Sequence, residues 1–120
     1  MKIYVKSSIQ FLSDLSTEDR YDLANDFTTP PEILKELADT DPSESVRFAA
    51  HTNLTLLDMV TVDYRPEFLS SLYDSSVPTI RWIVARHPNT PIRVLKMIID
   101  NDDDYRIREA AKKSLSERNI

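Results

Sequence analysis

Residues 20–50 read RYDLANDFTTPPEILKELADTDPSESVRFAA and residues 81–111 read RWIVARHPNTPIRVLKMIIDNDDDYRIREAA; at an offset of 61 they align without a gap and agree at 11 of 31 positions. The shared residues fall in order: Arg20/Arg81, Ala24/Ala85, Thr29-Pro30/Thr90-Pro91, Leu34-Lys35/Leu95-Lys96, Asp39/Asp100, Asp41/Asp102, Arg47/Arg108 and Ala49-Ala50/Ala110-Ala111. The chain is therefore internally repetitive. Within each stretch the arginine returns after 27 residues, Arg20 to Arg47 and Arg81 to Arg108, whereas Arg47 to Arg81 takes 34. The spacing predicts a unit of about 27 residues, with seven extra residues in the middle copy near residues 61–65.

Each unit reads as two short helices. One carries the arginine; the other starts at Thr29-Pro30 or Thr90-Pro91, where threonine is expected to cap the free amides and proline to occupy the first turn. After each Thr-Pro, apolar residues recur three and four apart: Ile33, Leu34, Leu37 and Ala38 in one copy, Val94, Leu95, Ile98 and Ile99 in the other. Asp41-Pro42 and the cluster Asp102, Asp103 and Asp104 suit the N-terminus of the following helix. In the middle copy Thr55-Leu56 stands in for Thr-Pro, Pro66 restarts a helix, and Ser76 or Asp74 is the expected cap ahead of Pro78. Ile9, Phe11, Leu12 and Leu15 suggest a capping helix, Ser16 with Asp19 a capping box, and Lys2–Lys6 a short strand. The expected architecture is all-α, a solenoid forming a single domain over 1–120. It comprises an N-terminal cap at 1–19, repeats at 20–46, 47–80 and 81–107, and a polar C-terminal cap helix at 108–120.

Composition narrows the function. There is no glycine among 120 residues, where average usage would supply roughly eight, so P-loops, dinucleotide-binding glycine turns and nucleophile elbows are excluded. No cysteine means no disulfide, iron–sulfur cluster, thiolate zinc site or cysteine nucleophile. Fifteen basic against twenty acidic residues give a formal charge of −5, which disfavours nucleic acid as a partner. Met1–Lys6 lacks an apolar signal region and no stretch approaches eighteen apolar residues, so the expectation is a cytoplasmic protein without a membrane span.

Two sets of residues stand out. Arg20, Arg47, Arg81 and Arg108 recur once per copy, with Asp41 and Asp102 six residues before Arg47 and Arg108. They are read first as an internal Asp–Arg ladder bonding carboxylates and carbonyls of neighbouring loops, and second as an anion groove. The residue after each arginine is aromatic in Tyr21, Phe48 and Trp82, with Glu109 breaking the series. Helical geometry turns Trp82 and Phe48 away from the core stripe. They form either a partner-binding face, together with Arg47 and Arg81, or packing between neighbouring helices. Asp100, Asp102 and Asp104 have the alternate spacing of a calcium loop, but Tyr105 and Ala111 occupy the positions that need glycine and glutamate. His51 and His87 form no ligand pair and are read as loop caps. No catalytic constellation, metal or cofactor is expected.

The string from Ile80 to Pro91, IRWIVARHPNTP, followed by Val94-Leu95, resembles the variant leucine-rich repeat, with a second copy from Arg20 to Leu37. The resemblance covers about residues 16–118 and implies a right-handed α–α superhelix akin to HEAT and armadillo arrays, folds that serve as binding scaffolds. The chain departs from that pattern in its 27-residue spacing, in Phe27 where proline is usual, and in lacking the cysteines of one branch's iron–sulfur segment. The expected function is a non-enzymatic scaffold for a protein or peptide. The alternatives are an array binding nucleic acid through the arginines, and an acidic decoy of a basic partner presenting Asp39, Asp41, Glu44 and Asp100 to Asp104.

Overall fold

The computed structural model describes residues 10–118, and among these there is helix and turn but no strand. The expected strand at Lys2–Lys6, the contribution of Ile9 to a cap and the last two residues lie outside the described residues. Contacts divide the chain into two compact units, Met1–Leu56 and Leu57–Ile120.

The first unit holds α1 (Thr17–Asn25), α2 (Pro31–Thr40) and α3 (Glu44–Leu57). The second opens with a 3-10 turn (Asp58–Thr61) and a short α4 (Pro66–Ser70), then holds α5 (Pro78–Arg86), α6 (Ile92–Asn101) and α7 (Tyr105–Arg118). Adding 61 to the bounds of α1, α2 and α3 gives those of α5, α6 and α7 at both ends of every helix. The periodicity in the amino acids is thus a periodicity of backbone.

Local chemistry explains the starts and stops. Ser16 caps α1 by accepting the Asp19 amide at 3.1 Å, and prolines at the first turns of α2, α4 and α5 occupy positions where no intrahelical amide bond is lost. The Thr-Pro motif works differently from the sequence expectation. Thr29 and Thr90 cap nothing ahead of them: their hydroxyls donate backward to the Leu23 and Val84 carbonyls at 2.8 and 2.7 Å. The same carbonyls accept backbone amides, from Asp26 at 3.2 Å and His87 at 3.4 Å, so the threonine adds a second bond at the end of the preceding helix. Thr55 likewise starts no helix; it lies in the last turn of α3 and donates to the His51 carbonyl. Ahead of Pro78 it is Ser75, rather than Ser76 or Asp74, whose hydroxyl accepts the Val77 amide.

Several helices end on one extended residue in place of a left-handed turn: Asp26 (φ −90°, ψ 124°), Asp41 (−63°, 136°), His87 (−71°, 132°) and Asp102 (−69°, 135°). No described residue has positive φ. This is how a chain without glycine ends its helices.

The apolar spacing of α2 and α6 becomes core. Leu34 and Leu37 are buried in the first unit with Ala24, Val46 and Ala50, and Val94, Leu95 and Ile98 in the second with Ile83, Val84, Ile107 and Ala111. Each buried leucine or isoleucine contributes about 1.5–3 kcal/mol relative to exposure. Phe27, which stands where the second unit has Pro88, is also buried.

Candidate functional site

The arginines are held by the fold. Arg20 Nε donates to Asp41 Oδ2 at 2.6 Å, and Arg81 Nε to Asp102 Oδ2 at 2.9 Å. Each aspartate's other oxygen accepts a backbone amide two residues on, from Ser43 and Asp104, both at 2.9 Å. The Asp41 and Asp102 carboxylates are almost completely buried. Arg47 and Arg108 reach the main chain of the same aspartates, donating to the Asp41 and Asp102 carbonyls at 2.6 Å. Arg20 and Arg81 reach back similarly, to Leu15 and Ser75. One aspartate thus ties two arginines, one through its side chain and one through its carbonyl. Beside the braces lie equivalent hollows of about 260 and 270 Å³, bounded by Arg20, Glu36, Leu37 and Asp41 in the first unit and by Arg81, Met97, Ile98 and Asp102 in the second.

The aromatic series separates. Phe48 is 73% exposed and Tyr21 45%. Trp82 is half-buried, and Arg86, one turn along α5, lies over its ring with Cζ 5.1 Å from the centroid. At the place equivalent to Phe48, Glu109 pairs with Lys112 at 3.0 Å.

Trp82 opens onto a cleft of about 430 Å³ lined by Trp82, Arg86, Ala110, Lys113, Ser114 and Glu117, between α5 and α7. Ser114 anchors its floor by donating to the Ala85 carbonyl at 2.6 Å. Sequence reasoning missed Arg86, Lys113 and Glu117. The Trp82/Arg86 spacing of four was the available signal, but the second wall comes from a helix more than twenty residues away. At the equivalent positions the first unit has Tyr21, Asn25, Ala49, Thr52, Asn53 and Leu56, none of them charged.

Charge separates the units too. Residues 1–56 carry five basic and ten acidic residues and 57–120 ten of each, so the whole of the −5 falls in the first unit. Asp104 bonds Arg106, chiefly through its side chain, and this holds its carboxyl below the usual aspartate range.

His87 is buried in the loop after α5. Its Nδ1 accepts the Asn89 amide at 3.0 Å, leaving Nε2 to carry the proton and donate to the Val62 carbonyl at 2.6 Å. Asp26 does the corresponding work in the first unit, its Oδ1 accepting the Thr28 amide at 2.8 Å. Asn53 closes that loop by donating to the Ala24 and Asp26 carbonyls; in the second unit Ser114 and Arg118 share the task, Arg118 donating to the Thr90 and His87 carbonyls. Burial lowers the Arg118 pKa below the ordinary guanidinium value. His51 lies exposed on α3.

Among the described residues no group of three or more His, Cys, Asp or Glu side chains is placed to hold a metal ion, no buried side-chain polar atom lacks a hydrogen-bond partner, and no helix is long and apolar enough to cross a membrane. No family model, curated protein or solved structure matches the chain.

Proposed function

We propose that this protein is a non-enzymatic, cytoplasmic scaffold that docks a protein or peptide on an array of short helical repeats. The 27-residue arginine period, read as a right-handed solenoid of the variant leucine-rich repeat type, belongs to this proposal. The observation that carries it is the exposure of Phe48 and Tyr21 on helices whose arginines are already committed to internal bonds. An aromatic ring that no neighbour covers adds nothing to the core, and aromatics are favoured anchors in interfaces. The same commitment of Arg20, Arg47, Arg81 and Arg108 leaves fewer free N–H groups for phosphate, which weighs against nucleic acid.

The test is affinity capture with the full chain, identification of the retained protein, and reconstitution from purified components. Phe48→Ala and Trp82→Ala are expected to abolish the reconstituted complex, with the Phe48→Ala thermal midpoint within about 2 °C of wild type, since exposed positions contribute little to stability. Retention that survives both substitutions would overturn the reading. The charge of residues 1–56 favours a second reading, an acidic decoy for a basic partner. Its signature would be a reconstituted complex lost at high salt and indifferent to Phe48→Ala.

A further inference from the structure

The geometry points to the cleft between α5 and α7 as a binding site for an acidic peptide segment, with an apolar side chain laid against Trp82 and a carboxylate between Arg86 and Lys113. This inference rests on the scaffold reading and specifies which surface and which chemistry carry it.

The strongest argument is internal. The first unit builds the same helix pair, in the same frame, with Tyr21, Asn25, Thr52 and Leu56 where the second has Trp82, Arg86, Lys113 and Glu117. The fold therefore does not require a cation at either position. Arg86 and Lys113 are both exposed, so neither is buried as a core element. They line the same cleft of about 430 Å³, room for a few side chains, as the largest aromatic surface in the chain, its one tryptophan. Ala110 lines it with a side chain too small to fill it. A cleft lined by an aromatic ring and two cations matches a segment in which a carboxylate neighbours an apolar residue, since the ring buries the apolar part and the cations answer the charge.

The same surroundings disfavour a phosphate backbone. Residues 57–120 carry as many acids as bases, and Glu117 stands in the cleft wall beside Lys113. Binding along a nucleic acid strand draws on a continuous run of cations, which two do not make.

Because Trp82 is the only tryptophan, its fluorescence reports on the cleft directly. The full chain is titrated with a blocked tryptophan-free peptide alternating Glu and Leu, its Gln-for-Glu counterpart, and oligothymidylate, with calorimetry as a second readout. The expected result is a saturable response to the acidic peptide alone. The double substitution Arg86→Asn, Lys113→Thr, which installs the first unit's residues and keeps the tryptophan, should weaken binding about fivefold to tenfold. Equal binding of the Gln peptide, tighter binding of oligothymidylate, self-association of the chain abolished by the double substitution, or no response by either readout would each overturn the inference. If Phe48-dependent reconstitution of the captured partner persists while the acidic peptide fails, the site assignment falls and the scaffold reading stands.

Discussion

Residues 17–57 and 78–118 form the same three helices at an offset of 61, and the groups shared between them are those that turn corners. An arginine–aspartate pair joins α1 to the α2–α3 loop and α5 to the α6–α7 loop; Thr29 and Thr90 close the preceding helices; Asn53 and Ser114 return to the Ala24 and Ala85 carbonyls. What differs is what reaches solvent: Phe48 against Glu109, Asn25 and Thr52 against Arg86 and Lys113, an acidic unit against a neutral one. The comparison teaches that braces and interior leucines constitute the fold, while the exposed faces are free to vary.

If that is right, removing an equivalent core residue costs both units alike. Leu34→Ala and Leu95→Ala, both fully buried, should each lose about 3 kcal/mol in urea denaturation. A difference above about 2.5 kcal/mol, wider than the spread of buried leucine truncations, would break the equivalence. The braces should respond unequally. Among the described residues Asp41 is the one carboxylate that Arg20 meets, in a two-pronged contact, whereas Arg81 also touches Asp103 at 3.2 Å. Asp41→Ala should therefore cost about 2–3 kcal/mol, and Asp102→Ala about 1 kcal/mol less, because only the second leaves its guanidinium a carboxylate partner. Equal losses would mean that Asp103, exposed as it is, adds nothing.

Smaller effects test the loops. Thr29→Val and Thr90→Val keep shape but remove one of the two hydrogen bonds each carbonyl accepts, an expected cost of about 0.5–1.5 kcal/mol each. Unchanged midpoints would return the threonines to the role of simple turn residues. The smallest effect concerns acid. Asp104, whose counterpart is Ser43, has its folded pKa depressed below the ordinary 3.8, first by the Arg106 side chain. Its contribution is present above the unfolded value and lost as pH falls through the depressed one. Asp104→Ser should accordingly lower stability slightly at neutral pH and flatten the acid limb below about pH 4, so that the two profiles converge in acid.

The sequence revealed the offset, the apolar faces of α2 and α6 and the proline starts, because these depend on residues three or four apart or on local backbone preference. It misassigned the Thr-Pro hydroxyls, since their acceptors lie six residues back across a turn whose direction local preference does not encode. It also broke α3 at Thr55, where Asn53, buried against the Ala24 and Asp26 carbonyls, holds the helix in place through contacts 29 and 27 residues away. The Trp82 cleft was half visible. One wall is a spacing of four along α5; the other exists only once α7 packs beside it.

The absence of positive φ among the described residues also bears on the unfolded chain. Glycine is the residue that loses most freedom on folding, and proline the one with little to lose. With no glycine and seven prolines, this sequence enters folding from a restricted ensemble. Loops whose every described position already suits an ordinary L-residue can exchange side chains without backbone strain, which is how two copies of one backbone can come to present different chemistry.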